Sequence, residues 1–205
     1  MDALLLLGIT GSGKTEVYLH AMAIALARRQ QVLLLVPEIA LTPQLESLVI
    51  ARFPEVMVST LHSGLADGER AERWQAARSG QARIVLGTRL SVFTPLPDLG
   101  LIIVDEEHDS SFKQGEGFRY SARDLAVVRA SQANVPIVLG SATPALETYR
   151  NALDGRYQLL PLKNRIQAAL PAIHCVDLRQ QKAEDGLSPA LISAIRERIA
   201  RHEQS

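Results

Sequence analysis

Cysteine is almost absent. Cys175 is the single thiol in 205 residues, which excludes an intrachain disulfide and any cysteine-cluster zinc site within the chain. It sits in an apolar run, 172–176, and is expected to pack as a small hydrophobe. Aromatics make up only 4% of the residues against 47% hydrophobic overall, so aliphatic side chains must fill the core. The formal net charge is zero. No overall basic field therefore attracts nucleic acid, although a local basic stripe would suffice for that. No apolar run approaches the roughly 20 residues of a membrane span, and the first residues lack the basic region and cleavage site of a secretory signal. These absences point away from a membrane and toward a reducing, cytoplasmic setting.

What is present is a regular alternation. Short aliphatic runs at 3–7, 32–36, 56–61, 84–86, 101–104 and 137–139 are separated by stretches of helical pattern. Continuous rather than alternating apolarity describes strands covered on both faces, hence a mostly parallel sheet. Thr42-Pro43, Thr143-Pro144 and Ser188-Pro189 each put a hydroxyl at a helix N-cap and proline at the first helical position. Ser121 with Asp124 offers an approximate capping box, and Asp67 a further cap. The expectation is an α/β fold of three layers. Residues 1–153 form its body. Residues 154–205 are expected to finish it and lead onward, with short strands at 157–160 and 172–176, a proline-bounded loop at 161–171, a polar and mobile segment at 180–186 and a last helix.

Chemistry concentrates at two places. Gly8-Ile9-Thr10-Gly11-Ser12-Gly13-Lys14-Thr15 follows an apolar run and opens a helical pattern. Strand, glycine loop and helix is the context in which G-x-x-x-x-G-K-[ST] cradles phosphates. Gly8, Thr10, Gly11, Ser12 and Gly13 would wrap backbone N–H groups around a triphosphate at a helix N-terminus. Lys14 would reach the β- and γ-phosphates, and the Thr15 hydroxyl would ligate Mg²⁺. ATP with Mg²⁺ is therefore the expected cofactor pair. The second place is Leu101-Ile102-Ile103-Val104-Asp105-Glu106-Glu107-His108, a buried strand ending in acids at the sheet edge where α/β domains bind ligands. Asp105 would hold Mg²⁺, and Glu106 would orient the attacking water, since phosphoryl transfer needs positioning and charge stabilisation above all.

Asp-Glu-x-His at 105–108 and Gly140-Ser141-Ala142-Thr143-Pro144 further on resemble the superfamily 2 helicases, where they correspond to motifs II and III. The resemblance implies a RecA-like phosphate-loop NTPase domain. It also implies that His108 links nucleotide state, through Ser141 and Thr143, to the nucleic-acid track. The segment from Val36 to Gln44, including Pro37 and Thr42, resembles motif Ia, and Gly87-Thr88-Arg89 resembles motif Ib, both backbone-phosphate contacts. Without the family each is only a strand-to-helix loop. With His62-Ser63-Gly64-Leu65 added, the set is similar to the bacterial replication-restart helicases in particular. That likeness implies the first motor lobe of a 3′-to-5′ DNA helicase acting on single-stranded and forked DNA, with primosome proteins and single-strand-binding protein as partners. A second lobe and zinc-binding cysteines would lie outside this chain. Residues 112–124 match the aromatic-rich loop by which such helicases couple strand binding to hydrolysis. Phe112, Lys113, Phe118, Arg119 and Tyr120 are its candidates for base stacking and phosphate contact; without the family, the same stretch reads as a surface loop with a buried Phe. A GTPase is disfavoured because the guanine-reading Asn-Lys-x-Asp is missing, and Asp-Glu-x-His and Gly-Ser-Ala-Thr argue against both a GTPase and a small-molecule kinase. A non-catalytic module and another nucleic-acid translocase remain as alternatives.

Overall fold

A computed structural model describes residues 2–164, 175–179 and 186–201. The chain divides into two compact units, Met1–Ala168 and Ala169–Ser205. In the first, β1 (Ala3–Gly8) leads through the glycine loop to α1 (Lys14–Ala27), then β2 (Gln31–Leu35), α2 (Pro43–Arg52) and β3 (Val58–Leu61). After these come α3 (Asp67–Arg78), β4 (Ile84–Gly87) and β5 (Leu99–Val104). The small hairpin β6 (Lys113–Gln114) and β7 (Tyr120–Ser121) precedes α4 (Ala122–Ala133), β8 (Ile137–Ser141), α5 (Leu146–Leu153) and β9 (Gln158–Leu162). The main sheet has seven strands in the order β3-β4-β2-β5-β8-β1-β9, parallel at every pairing. This is the three-layer α/β architecture expected from the aliphatic runs.

Period-two alternation along the strands divides the core. Leu5, Leu33, Leu35, Val85, Ile102, Val104, Ile137 and Leu139 face one side, where Ala77 of α3, Ala122, Ala126 and Ala130 of α4 and Ala152 of α5 pack on them. Leu6, Val32, Leu34, Ile84, Leu86, Leu101, Ile103 and Val138 face the other, against Tyr18, Leu19, Met22 and Ala25 of α1 and Val49 of α2. Alanine on α4 lets that helix lie close to the sheet. Phe112 heads the fully buried side chains by size; each such apolar side chain contributes about 1.5–3 kcal/mol through burial. Because every strand is parallel, β1, β2, β4, β5 and β8 all deliver their C-terminal ends, and the residues that follow, to one edge.

Several local expectations need correction. Thr143 does not cap α5, which starts at Leu146 with Ala145 at the N-cap and no side-chain cap from that residue. The Thr143 backbone N–H is instead taken by Ser141 Oγ at 2.9 Å. Asp67 lies inside α3, whose N-cap is Ala66, and its carboxylate pairs with Arg70. Pro161 belongs to β9, in register with Leu7, as an edge strand permits. Cys175 is exposed rather than packed. Residues 172–174 of the expected second strand, and 180–185 of the expected mobile segment, lie outside the described residues; 175 and 176 are not in a strand. Thr42, Ser121 and Ser188 do cap, accepting from the N–H groups of Leu45, Asp124 and Leu191 at 3.2–3.3 Å. The second unit contains α6 (Pro189–Ala200), whose Leu191 and Ile199 are exposed. No helix among the described residues is long and apolar enough to cross a membrane.

Candidate functional site

The phosphate loop forms because glycine occupies positions that other residues resist. Gly11 and Gly13 have φ of 78° and 92°, a region nearly closed to residues with a Cβ. Gly13 is also the N-cap of α1 and has no side chain to satisfy the first-turn N–H groups, which leaves them for an anion. Ser12 Oγ is buried and finds no hydrogen-bond partner among the described residues. Lys14 is 8% exposed; its ammonium donates to the Gly8 carbonyl at 2.9 Å and lies 3.4 Å from Glu106. An orphaned hydroxyl, free helix donors and a buried lysine together fit a polyphosphate.

The acidic turn stands opposite. Asp105 directly follows β5 and Glu106 takes φ +46°, an unusual conformation for a residue with a side chain and one that accompanies functional turns. Ile9, Thr10, Gly11, Gly13, Lys14, Thr15, Glu16, Leu19, Leu48, Asp105 and Glu106 line one open cavity of about 690 Å³. Asp105 Oδ1 accepts from the Tyr18 hydroxyl at 2.8 Å and from the Glu106 N–H at 3.0 Å. Burial pushes the Asp105 carboxyl above its ordinary range. The Tyr18 hydrogen bond, then the Glu106 N–H and, least, Lys14 oppose that, while the Glu106 carboxylate adds to it. The Tyr18 hydroxyl is driven far above its usual value by burial first and by Asp105 second, so it remains a donor. Thr15 and Asp105 are the two side chains here suited to Mg²⁺, which takes one or two protein oxygens with phosphate and water completing the shell.

The turn continues into the residues read as motif III. His108 Nδ1 lies 2.8 Å from Ser141 Oγ, and Nε2 lies 3.3 Å from Thr143 Oγ1. His108 Nδ1 is also 3.7 Å from Glu106. The structure therefore brings Lys14, Asp105, Glu106, His108, Ser141 and Thr143 into one chain of contacts along the sheet edge.

The residues expected at a nucleic-acid track are more scattered. Pro37 is buried two residues beyond β2, and Thr42 is the cap of α2. Gly87, the last residue of β4, and Thr88 after it are buried; a Cβ at Gly87 would sit 2.0 Å from Ser91 Oγ. Arg89 donates through Nη1 to the Ser111 and Lys113 carbonyls at 3.1 and 3.2 Å. It thus braces the start of the aromatic segment instead of pointing wholly outward. Phe112 is 1% exposed and packs in the core; it is no open stacking platform, because the 3-10 turn at 110–112 folds its ring beneath the sheet. The hairpin tip is open: Phe118 is 80% exposed, Lys113 and Arg119 are exposed, and the Phe118–Tyr120–Phe93 rings run in series at 6.1 and 5.1 Å between centroids.

Two contributors escaped the motif reading. Tyr18 looked like one more residue of an apolar helix face; the signal was a buried hydroxyl needing an acceptor. Glu107 looked like the variable position between the motif acid Glu106 and the motif histidine His108, yet its side chain has no exposure, and it accepts from Ala145, Thr148 and Arg123.

The chain is similar over 98% of its length to replication restart protein PriA of Haemophilus influenzae (47% identity, 201 residues) and of Bacillus subtilis (43% identity, 205 residues). It spans about a quarter of the length of these curated relatives, 27% and 25%. Among solved structures, RecG bound to a three-way DNA junction superimposes with a TM-score of 0.56 at 24% identity, covering 78% of this chain and 20% of RecG. Domain 2 of the DEAD-box helicase Mss116p bound to an RNA duplex gives 0.57 at 12% identity, covering 78% of this chain and 61% of that one. These two likenesses establish the RecA-like helicase fold. The family model described as DEAD/DEAH box helicase matches residues 2–152, a span that contains both the glycine loop and the acidic turn, and the chain belongs to that family.

Proposed function

We propose that this chain is the ATP-binding motor lobe of an ATP-dependent 3′-to-5′ DNA helicase acting in replication restart. One observation supports the reading above the others: Lys14 of the glycine loop and Glu106 of the acidic turn meet across 3.4 Å at the mouth of one cavity. In this reading residues 1–153 form the body of the lobe, β9 adds its edge strand, and 154–205 include the connection toward a second lobe. The relatives' name, replication restart protein, supports the setting in replication restart; in this reading the partners are single-stranded and forked DNA, primosome proteins and single-strand-binding protein. Zinc in this reading belongs to a part of the longer protein outside the chain.

The residues divide the work. Backbone N–H groups of 10–15 and the Lys14 ammonium would bind and orient the phosphates. Bound Mg²⁺ would neutralise charge on the β- and γ-oxygens. Tyr18 holds one Asp105 oxygen, which leaves the other for the Thr15 side of the cavity. Glu106 would position and polarise water, and His108 would report its state to Ser141 and Thr143. The hairpin at 113–120 and the loops after β2 and β4 would contact DNA backbone and bases. A single lobe lacks the opposing wall of the nucleotide cleft, so this chain alone should hydrolyse ATP slowly and unwind nothing.

The test compares ATP hydrolysis by this chain and by the full-length protein, each with and without single-stranded DNA, and competes ATP against GTP for binding. Slow turnover by the chain, DNA-stimulated turnover by the full-length protein and preference for ATP are expected. Comparable turnover by the isolated chain would contradict the lobe reading. Unstimulated hydrolysis by the full-length protein would contradict the DNA reading.

A further inference from the structure

Glu107 lies between the water-positioning acid and His108, yet it faces away from the nucleotide cavity. Its carboxylate is completely enclosed. Oε1 accepts from the Ala145 N–H at 2.7 Å, which serves α5 as a cap supplied from a distant part of the chain. Oε2 accepts from Thr148 Oγ1 at 2.7 Å and from Arg123 Nη1 at 3.3 Å. The Glu107 N–H donates to the Gly140 carbonyl at 3.0 Å. A carboxylate this deep is tolerated only when its charge and lone pairs are matched.

Arg123 stands in the first turn of α4, directly after the hairpin that carries Phe118 and Arg119. Its side chain is 10% exposed and also donates through Nε to Asp124 at 2.7 Å. At the other end of the segment, Arg89 grips the Ser111 and Lys113 carbonyls. The hairpin is thus free at its tip and fastened at both roots, and one root ends on the residue next to Glu106.

We infer that Glu107 and Arg123 are a positioning pair that transmits the placement of the aromatic hairpin to the acidic turn, and so couples strand binding to hydrolysis. The inference rests on the proposed function, in which the hairpin meets DNA. A buried ion pair resists lengthening because separation in a low-dielectric surrounding is costly. Movement of the first turn of α4 therefore moves Glu107, and Glu107 is one peptide bond from Glu106, whose left-handed backbone holds only while its neighbours are fixed. Thr148 and Ala145 anchor the same carboxylate to α5 and make it a pivot.

The experiment measures, in the full-length protein, the ratio of ATP hydrolysis with saturating oligo(dT) to hydrolysis without it. Glu107→Gln still accepts from Ala145 but has no charge for Arg123; Arg123→Gln leaves the α5 contacts of Glu107 in place. Each should lower the ratio by at least about fivefold, a usual size for coupling between sites. The double variant should lower it no further, and Arg123→Lys should restore part of it. A purely structural role would lower thermal stability without this non-additive loss of ratio. If Glu107→Gln does not fold, the two Arg123 variants carry the test. Unchanged ratios in folded variants, or losses that multiply in the double variant, would overturn the inference while leaving the proposed function standing. A wild-type protein with no DNA stimulation would overturn both.

Discussion

Replacing Gly140 by alanine tests the link between the segment at 140–144 and Asp105, the acid proposed to hold Mg²⁺. A Cβ at Gly140 would lie 1.6 Å from Tyr18 Oη and 2.7 Å from Cζ. Ordinary contact begins near 3.4 Å, so the ring must retreat by about 1.8 Å. Tyr18 is 3% exposed and wedged among Leu19, Met22 and the sheet, so it has no easy direction of escape. Retreat breaks its 2.8 Å hydrogen bond to Asp105. A lost hydrogen bond to a charged acceptor and overpacking of a dense core together cost about 2.5–6 kcal/mol, a large share of the roughly 5–15 kcal/mol that holds a domain folded. Tyr18→Phe alone removes the hydroxyl and costs about 1–3 kcal/mol. In the double variant the nearest obstacle becomes Cζ at 2.7 Å, and the opening needed falls to about 0.7 Å. Urea unfolding of the chain followed by circular dichroism should therefore show the double variant less destabilised than the two single costs combined. Full additivity, or a Gly140→Ala chain within about 0.5 kcal/mol of wild type, would refute the packing argument.

Other outcomes follow from the same geometry. Phe112→Ala should cost about 3–5 kcal/mol in urea unfolding, as for a fully buried aromatic. Phe118→Ala should leave stability within about 0.5 kcal/mol yet weaken single-stranded DNA binding by about 1–3 kcal/mol in a fluorescence titration of the full-length protein. Asp105→Asn should raise the melting temperature of the nucleotide-free chain near neutral pH. The folded state raises this carboxyl's pKa, so its ionised form is held at a disadvantage above that pKa. The penalty disappears as pH falls through the folded pKa toward the unfolded value of about 3.9. The gain from the substitution should accordingly shrink on acidification, with Mg²⁺-dependent nucleotide binding weakened throughout.

The two chemical centres were legible because each is contiguous. A glycine loop must be written in adjacent residues to bend the backbone around phosphate, and the acids at the end of β5 follow a strand whose apolarity is unmistakable. The sheet was legible for a related reason: strands buried on both faces need unbroken aliphatic runs. Contacts between distant segments were not. Tyr18 and Asp105 are 87 positions apart, and nothing local in α1 signals that its tyrosine reaches the acidic turn. Thr143-Pro144 carries a good capping signal, but Ser141 takes the Thr143 N–H, His108 faces its hydroxyl, and Glu107 supplies the N–H acceptor at Ala145. Tertiary hydrogen bonds thus displaced a local preference and moved the start of α5 to Leu146. Phe112 shows the same limit for aromatics, since a ring beside exposed Lys113 and Gly115 reads as part of an open loop until the 3-10 turn at 110–112 folds it inward.

The central claim is that the glycine loop and the acidic turn form a working Mg·ATP site. Calorimetric titration of Mg·ATP into this chain, with Lys14→Ala as the control, tests it most directly. The account predicts weak but measurable binding by the wild-type chain and its loss in the variant, where both the Gly8 and Glu106 contacts of the ammonium are gone. Equal binding by the two chains would contradict it, because nucleotide would then be held somewhere other than the phosphate loop.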